Sequence, residues 1–387
     1  MWALDQTLRR GGGRGGSSVG AHRDAGGEQA RVWLSPRREP REVTSPRRLL
    51  GQTLLALALT TASLAWIVHE TGPLESLFRQ VRPGWLLAAA LALIASWAVR
   101  SLRVWLLVRT LGQRASFFGI FTDFVASLFV SGVTPTASGG FPFFVYAMGR
   151  RGVEWGVALA ANLFDTVLNV LTVAMLGALA WALLIGYAPA GGTASILLVG
   201  VGIWVVMGGL LAVTTLLAPR FAARGLYRLS QRLKREDRRP SLTRLVRALA
   251  AQVAQHTRAI RRLRRRGRAP VVVNLVLNLI YWAAYLSVGP LILTALGLAV
   301  DAGPGAPLWL DAVFAHLNFH LVQNLIPTPG AAGGAEWGLA YLFRPYLSAD
   351  RLGGFVVLWR LITYYFQVAV GGLFLPRTLR QMVRGPS

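Results

Sequence analysis

The sequence contains no cysteine, which excludes disulfides, thiolate-bound metals and a cysteine nucleophile. Acidic residues are also scarce, with 16 Asp and Glu against 41 Lys and Arg and a formal net charge of +25. There is no GxxxxGK[ST] phosphate loop, no strand–turn–helix nucleophile elbow and no HExxH pair, so nothing points to ATP-driven pumping or zinc hydrolysis. What the chain has in abundance is apolar residues, 54% of 387. They fall in runs close to the roughly 20 residues that cross a hydrocarbon core as a helix. The expected class is therefore an all-α polytopic membrane protein. In a soluble chain the charge would suggest nucleic acid. Here the arginines gather between apolar runs, which reads as cytoplasmic loops facing anionic lipid heads, with no nucleic-acid partner.

Residues 1–46, rich in Gly, Arg, Ser and Pro, read as a disordered basic cytoplasmic tail. Full spans are expected over 49–68, 85–108, 155–184, 195–217, 271–298 and 353–375, six in all, with both termini cytoplasmic. Arg100 and Arg103, near the end of the second run, are expected to snorkel towards headgroups. Residues 218–269 read as a basic amphipathic cytoplasmic insertion, the whole of 47–378 as one transmembrane domain, and 379–387 as a short cytoplasmic tail.

Two segments interrupt this pattern. One is Val133-Thr-Pro-Thr-Ala-Ser-Gly-Gly140. The other is Leu325-Ile-Pro-Thr-Pro-Gly-Ala-Ala-Gly-Gly-Ala-Glu336. Neither is compatible with a straight helix. Corresponding breaks in two halves of a membrane protein point to a binding site near the midplane. The charge pattern predicts two re-entrant hairpins of opposite orientation, with the first entering from the cytoplasm. Thr134, Pro135, Gly139, Gly140, Pro327, Pro329, Gly330 and Gly333 are the candidate substrate-binding residues at the breaks. Helical spacing puts Asp123, Ser127 and Ser131 on one face leading to the first break. His316, His320 and Asn324, with Gln323, lead to the second. These stripes and Asp165 are expected to line a cavity, because polar groups in lipid are costly unless they face each other or water. His316 and His320 lie one turn apart as two metal ligands would, but no third ligand is near, so neither a metal nor a cofactor is expected.

Glu336 and Arg360 are opposite charges at membrane depth. Leaving either alone costs roughly 2.5 to 3.5 kcal/mol even on the insertion scale. They are expected to pair, with Tyr364 or Tyr365 hydrogen-bonded to one of them, and Glu336, Arg360 and Tyr364 join the candidate substrate-binding set.

The elements Pro327-Thr-Pro-Gly330 with Gly333 and Glu336, then Arg360-Leu-Ile-Thr-Tyr-Tyr365, resemble the signature of the lysylphosphatidylglycerol synthetase transmembrane-region family, also called flippase-like membrane proteins. Arg100-Ser-Leu-Arg103-Val-Trp105 and Thr134-Pro135 with Gly139-Gly140 are similar to its earlier motifs. The likeness covers roughly residues 49–378. The chain carries Phe144 and Asn162 where the family often has arginine, and Ala331 where it has a second glycine. The resemblance implies a module that binds or translocates phospholipids, anionic ones included, across the plasma membrane, with a lipid-modifying enzyme as a possible partner. The soluble aminoacyltransferase domain of full-length members is not expected here, so no enzymatic activity is expected either. The residues leave two other readings open. One is a proton-coupled transporter using Asp123, Asp165 and Glu336; the other is a non-catalytic partner subunit.

Overall fold

The structure is a computed structural model that describes residues 46–71, 81–184, 202–206, 208–210, 225, 228, 256–263, 265–297, 308–323, 326–344 and 347–384. Residues 51–387 form one compact unit, and of the separate unit 1–50 only the helical residues 46–50 are described. The tail, most of the fourth expected span and residues 229–255 of the insertion lie outside the described residues.

The described residues are helical or in short turns. Helix α1 is Pro46–Thr71 and α2 is Pro83–Thr110. Helices α3, Phe117–Val133, and α4, Gly140–Arg150, flank the first break. Next come α5, Trp155–Leu184, then α6, Ala269–Leu286, and α7, Val288–Ala295. Helices α8, Leu308–Gln323, and α9, Gly334–Phe343, flank the second break. The chain ends with α10, Ala349–Arg360, a π-turn at Leu361–Tyr365, and α11, Phe366–Arg384. Among the described residues, four helical stretches are long and apolar enough to cross a membrane: Pro83–Thr110, Trp155–Leu179, Ala269–Ala295 and Arg351–Val383. The protein is thus an all-α polytopic membrane protein.

Local chemistry sets the boundaries. Pro83 opens α2, where its missing N–H would have had no intrahelical partner. The Ser116 hydroxyl caps α3 by accepting from the Gly119 N–H at 3.4 Å. Helix α3 stops at Val133 because Pro135 forces Thr134 into the extended region, at φ −105° and ψ 144°. The last helix runs on to Arg384, beyond the boundary at 378. Arg150 holds its end by donating from Nε to the Met382 carbonyl at 2.6 Å. Within the insertion, Ala259, Ile260 and Leu263 are buried in the main core, so this part of it is anchored in the bundle.

The short limbs are wrapped by the long helices. In α3, residues on all sides are buried, including Thr122, Asp123 and Ser127, as a non-spanning helix in a membrane requires. Its closest partner is α11, and the contact depends on Gly371. A Cβ there would stand 2.8 Å from the Val125 carbonyl oxygen and 2.9 Å from Phe129. Gly371→Ala should therefore lower stability by about 1 to 3 kcal/mol through overpacking. Gly84→Ala, which meets nothing within 4 Å, should not lower it. Thermal unfolding of the detergent-solubilised protein compares the two.

Candidate functional site

The two breaks fold alike, position by position. Thr134, Pro135, Gly139 and Gly140 correspond to Thr328, Pro329, Gly333 and Gly334. In the first turn the Ala137 and Ser138 N–H groups donate to the carbonyls of Thr134 and Pro135. In the second, Ala331 and Ala332 do the same to Thr328 and Pro329. Each turn needs two successive residues in the left-handed region: Thr136 and Ala137 at φ 51° and 55°, Gly330 and Ala331 at 61° and 55°. Threonine is a rare occupant of that region, and such strain gathers at functional sites. The breaks meet. Pro135 and Pro329 form an antiparallel β-bridge, and since proline donates no N–H, the flanking peptide groups carry it. Each hairpin's limbs pack together and the tips touch.

A cavity of about 230 Å³ lies where they meet. The first break contributes Ser131, Gly132, Thr136 and Ala137 to its wall, and the second contributes Thr328, Gly330 and Ala331. Ser96, Trp97 and Arg100 of α2 face it, with Tyr281 and Tyr285 of α6 and His320 and Gln323 of α8. Trp359, Arg360, Thr363, Tyr364 and Gln367 complete the wall around the π-turn, an irregularity common at functional sites.

Glu336 and Arg360 are in contact. The Arg360 Nε donates to Glu336 Oε1 at 2.6 Å, and both groups are buried. The other carboxylate oxygen, Oε2, accepts the Gly333 N–H at 2.7 Å, so Glu336 also fastens the start of its own helix. Arg360 Nη1 donates to the Gly330 carbonyl at 3.0 Å. Tyr364 hydrogen-bonds neither charge. Its ring lies 5.0 Å from the Arg360 guanidinium, and its hydroxyl donates to the Gly132 carbonyl of the other break at 3.4 Å. Gly330 is required here, because a Cβ on it would overlap the Tyr364 ring.

The other two acids also hold arginines. Asp123 takes a two-point ion pair from Arg151, whose Nη2 donates to Oδ1 at 2.8 Å. Asp165 is shared. Arg103, fully buried, approaches it at 2.8 Å, while Arg100 donates to it from Nε at 3.4 Å. Two guanidiniums thus lean on one carboxylate, and the more weakly held one, Arg100, faces the cavity. Neither arginine snorkels as expected, because Asp165 on α5 neutralises part of their charge at the same depth.

The expected cavity stripes need correction. Ser131, Gly330, Arg360, Tyr364, His320 and Gln323 line the cavity, whereas Asp123, Ser127, Asp165 and His316 lie behind its wall. The face of α3 turned to the cavity is Phe124, Leu128 and Ser131. Asp123 points to Arg151, and the Ser127 hydroxyl donates to the Phe124 carbonyl at 2.6 Å. Thr134, Pro135, Gly139, Gly140, Pro327, Pro329, Gly333 and Glu336 shape the breaks from outside the wall. Thr134 caps α4, for example, by accepting the Gly139 N–H at 3.0 Å. Asn324 lies outside the described residues. Phe144 packs edge-on against Phe124, with centroids 5.6 Å apart, and the Asn162 amide donates to the Ala158 carbonyl; both sit behind the wall. Among the described residues no group of three His, Cys, Asp or Glu is placed to hold a metal. The sequence reading missed Arg100, Tyr281 and Tyr285 as cavity residues. A signal existed in Asn274, Asn278, Tyr281 and Tyr285, polar-tipped residues at helical spacing within one span. Glu336→Gln should cost about 3 to 5 kcal/mol by leaving Arg360 buried without its counter-charge. The double variant with Arg360→Gln should recover much of that loss in thermal unfolding.

Residues 53–371 match the lysylphosphatidylglycerol synthase TM region family. The chain is similar to a UPF0104 membrane protein of Archaeoglobus fulgidus, 28% identical over 342 residues that cover 84% of this chain and 93% of the relative. No solved structure matches it. Paired Pro-Gly breaks, a Glu–Arg lock at the second and a family match across most of the chain agree: this polytopic membrane protein belongs to the lysylphosphatidylglycerol synthase transmembrane-region family.

Proposed function

We propose that the protein binds an anionic amphiphile at the cavity between the breaks and carries its headgroup across the plasma membrane. The observation that supports this is the charge balance. Glu336 answers Arg360 and Asp123 answers Arg151, but among the described residues Asp165 is the one carboxylate in ion-pair contact with Arg100 and Arg103. A positive charge left over at membrane depth favours an anion. Arg100, with a side chain 26% exposed, is the group placed to receive it. The cavity is smaller than the roughly 300 to 1,000 Å³ that encloses a drug-sized ligand, so it fits a headgroup with the acyl chains outside. Proton relay is less well supported, because each candidate acid is engaged by arginine. The protein acts here as a carrier without covalent chemistry.

In vesicles, the purified protein should accelerate exposure of a fluorescent phosphatidylglycerol to an impermeant quencher. Arg100→Gln should slow this roughly 10- to 100-fold, the value of a charge-assisted hydrogen bond of about 1.5 to 3 kcal/mol, with thermal stability retained. No acceleration by the unaltered protein would reject the transport reading. Arginine density puts both termini in the cytoplasm. Since the chain has no cysteine, Arg380→Cys should react with an impermeant maleimide only after cells are opened.

A further inference from the structure

Resting on that reading, we infer that Arg103, which does not reach the cavity, is the positioning residue that keeps Arg100 open to the anion. Asp165 divides its oxygens between the two arginines: Arg103 Nη2 stands 2.8 Å from Oδ1, and Arg100 Nε donates to Oδ2 at 3.4 Å. An arginine with a carboxylate to itself commonly takes both oxygens, as Arg151 does on Asp123. Arg103 blocks that closure at Asp165 by occupying Oδ1. The Nη1 and Nη2 groups of Arg100 therefore take no partner among the described residues. Its guanidinium rests 4.8 Å from the Phe124 ring in the cavity wall.

As a mere link between α2 and α5, Arg103 is an unfavourable choice. Its side chain is fully buried, yet Nε and Nη1 have no hydrogen-bond partner among the described residues, and a buried charged donor left unmet lowers stability. Arg100, one turn earlier on the same helix, already joins α2 to Asp165. Removing Arg103 leaves Asp165 and Arg100 as a balanced pair, unlike the loss of Glu336, which strands a buried charge. What Arg103 adds is competition. Two guanidiniums share one carboxylate, the buried one holds the closer contact, and the partly exposed one is left facing the cavity. An anion arriving at Arg100 meets an Asp165 whose charge is already engaged by Arg103.

Anion affinity is read by native mass spectrometry of phosphatidylglycerol bound to the full chain in phosphatidylcholine nanodiscs. Arg103→Met should weaken it about tenfold, within the coupling range of residues that share one ion-pair network, while thermal unfolding stays within a few degrees of the unaltered protein. Adding Asp165→Asn to Arg103→Met removes the competing carboxylate and should make binding tighter than in the unaltered protein. A purely structural Arg103 gives the opposite pattern, lower thermal stability with unchanged affinity, and that result overturns the inference. Equal affinity in all three proteins also overturns it and leaves the anionic-headgroup reading standing. No binding by the unaltered protein above the phosphatidylcholine background overturns both. Where Arg103→Met fails to fold, the double variant decides alone: binding no tighter than that of the unaltered protein overturns the inference.

Discussion

Backbone that leaves the helix at membrane depth must find its hydrogen bonds within the protein, and Glu336 is where this chain meets that demand. One carboxylate oxygen takes the Gly333 N–H, and the other takes Arg360, whose own Nη1 reaches the Gly330 carbonyl. A single ion pair therefore fixes both ends of the second break. Through Tyr364, which lies on Arg360 and reaches Gly132, it also touches the first. The π-turn that follows Arg360 brings Tyr364 to the same wall as Thr363. Fold and site share this one cluster.

The two breaks use the same turn but differ in surroundings. Pro135 to Ser138 are exposed, whereas Pro329 and Ala332 are buried. Threonine occupies the left-handed position of the exposed turn, and glycine that of the covered one, where the Tyr364 ring leaves no room for a Cβ. The repeated Thr-Pro and Gly-Gly are needed for the turn itself. What differs between the copies is set by what each one touches.

Charge in the bundle is arranged with equal economy. Asp123, Asp165 and Glu336 all engage arginine, so the cavity is lined by guanidinium and uncharged groups with its acids held behind the wall. Among the described residues, that placement leaves guanidinium groups in the wall and no carboxylate beside them. It also separates roles: Arg103, Arg151 and Arg360 hold helices together, and Arg100 remains partly exposed.

The sequence by itself determined the class, the two breaks at Thr134-Pro135 and Thr328-Pro329, and the Glu336–Arg360 contact. Apolar runs of spanning length have no soluble alternative, a proline restricts the residue before it, and two opposite charges near one break have a strong reason to meet. Tertiary structure decided which polar residues face the cavity. Helical periodicity shows that Asp123, Ser127 and Ser131 share a face, but not where that face points. Rotating α3 to seat Asp123 on Arg151 turns Phe124 and Leu128 inward instead. In the same way, nothing local to α2 distinguishes an arginine that snorkels from one that meets Asp165 on another helix. The joining of Pro135 to Pro329 is likewise a property of the assembled bundle, because residues so far apart in the chain are brought together only by the packing of the helices between them.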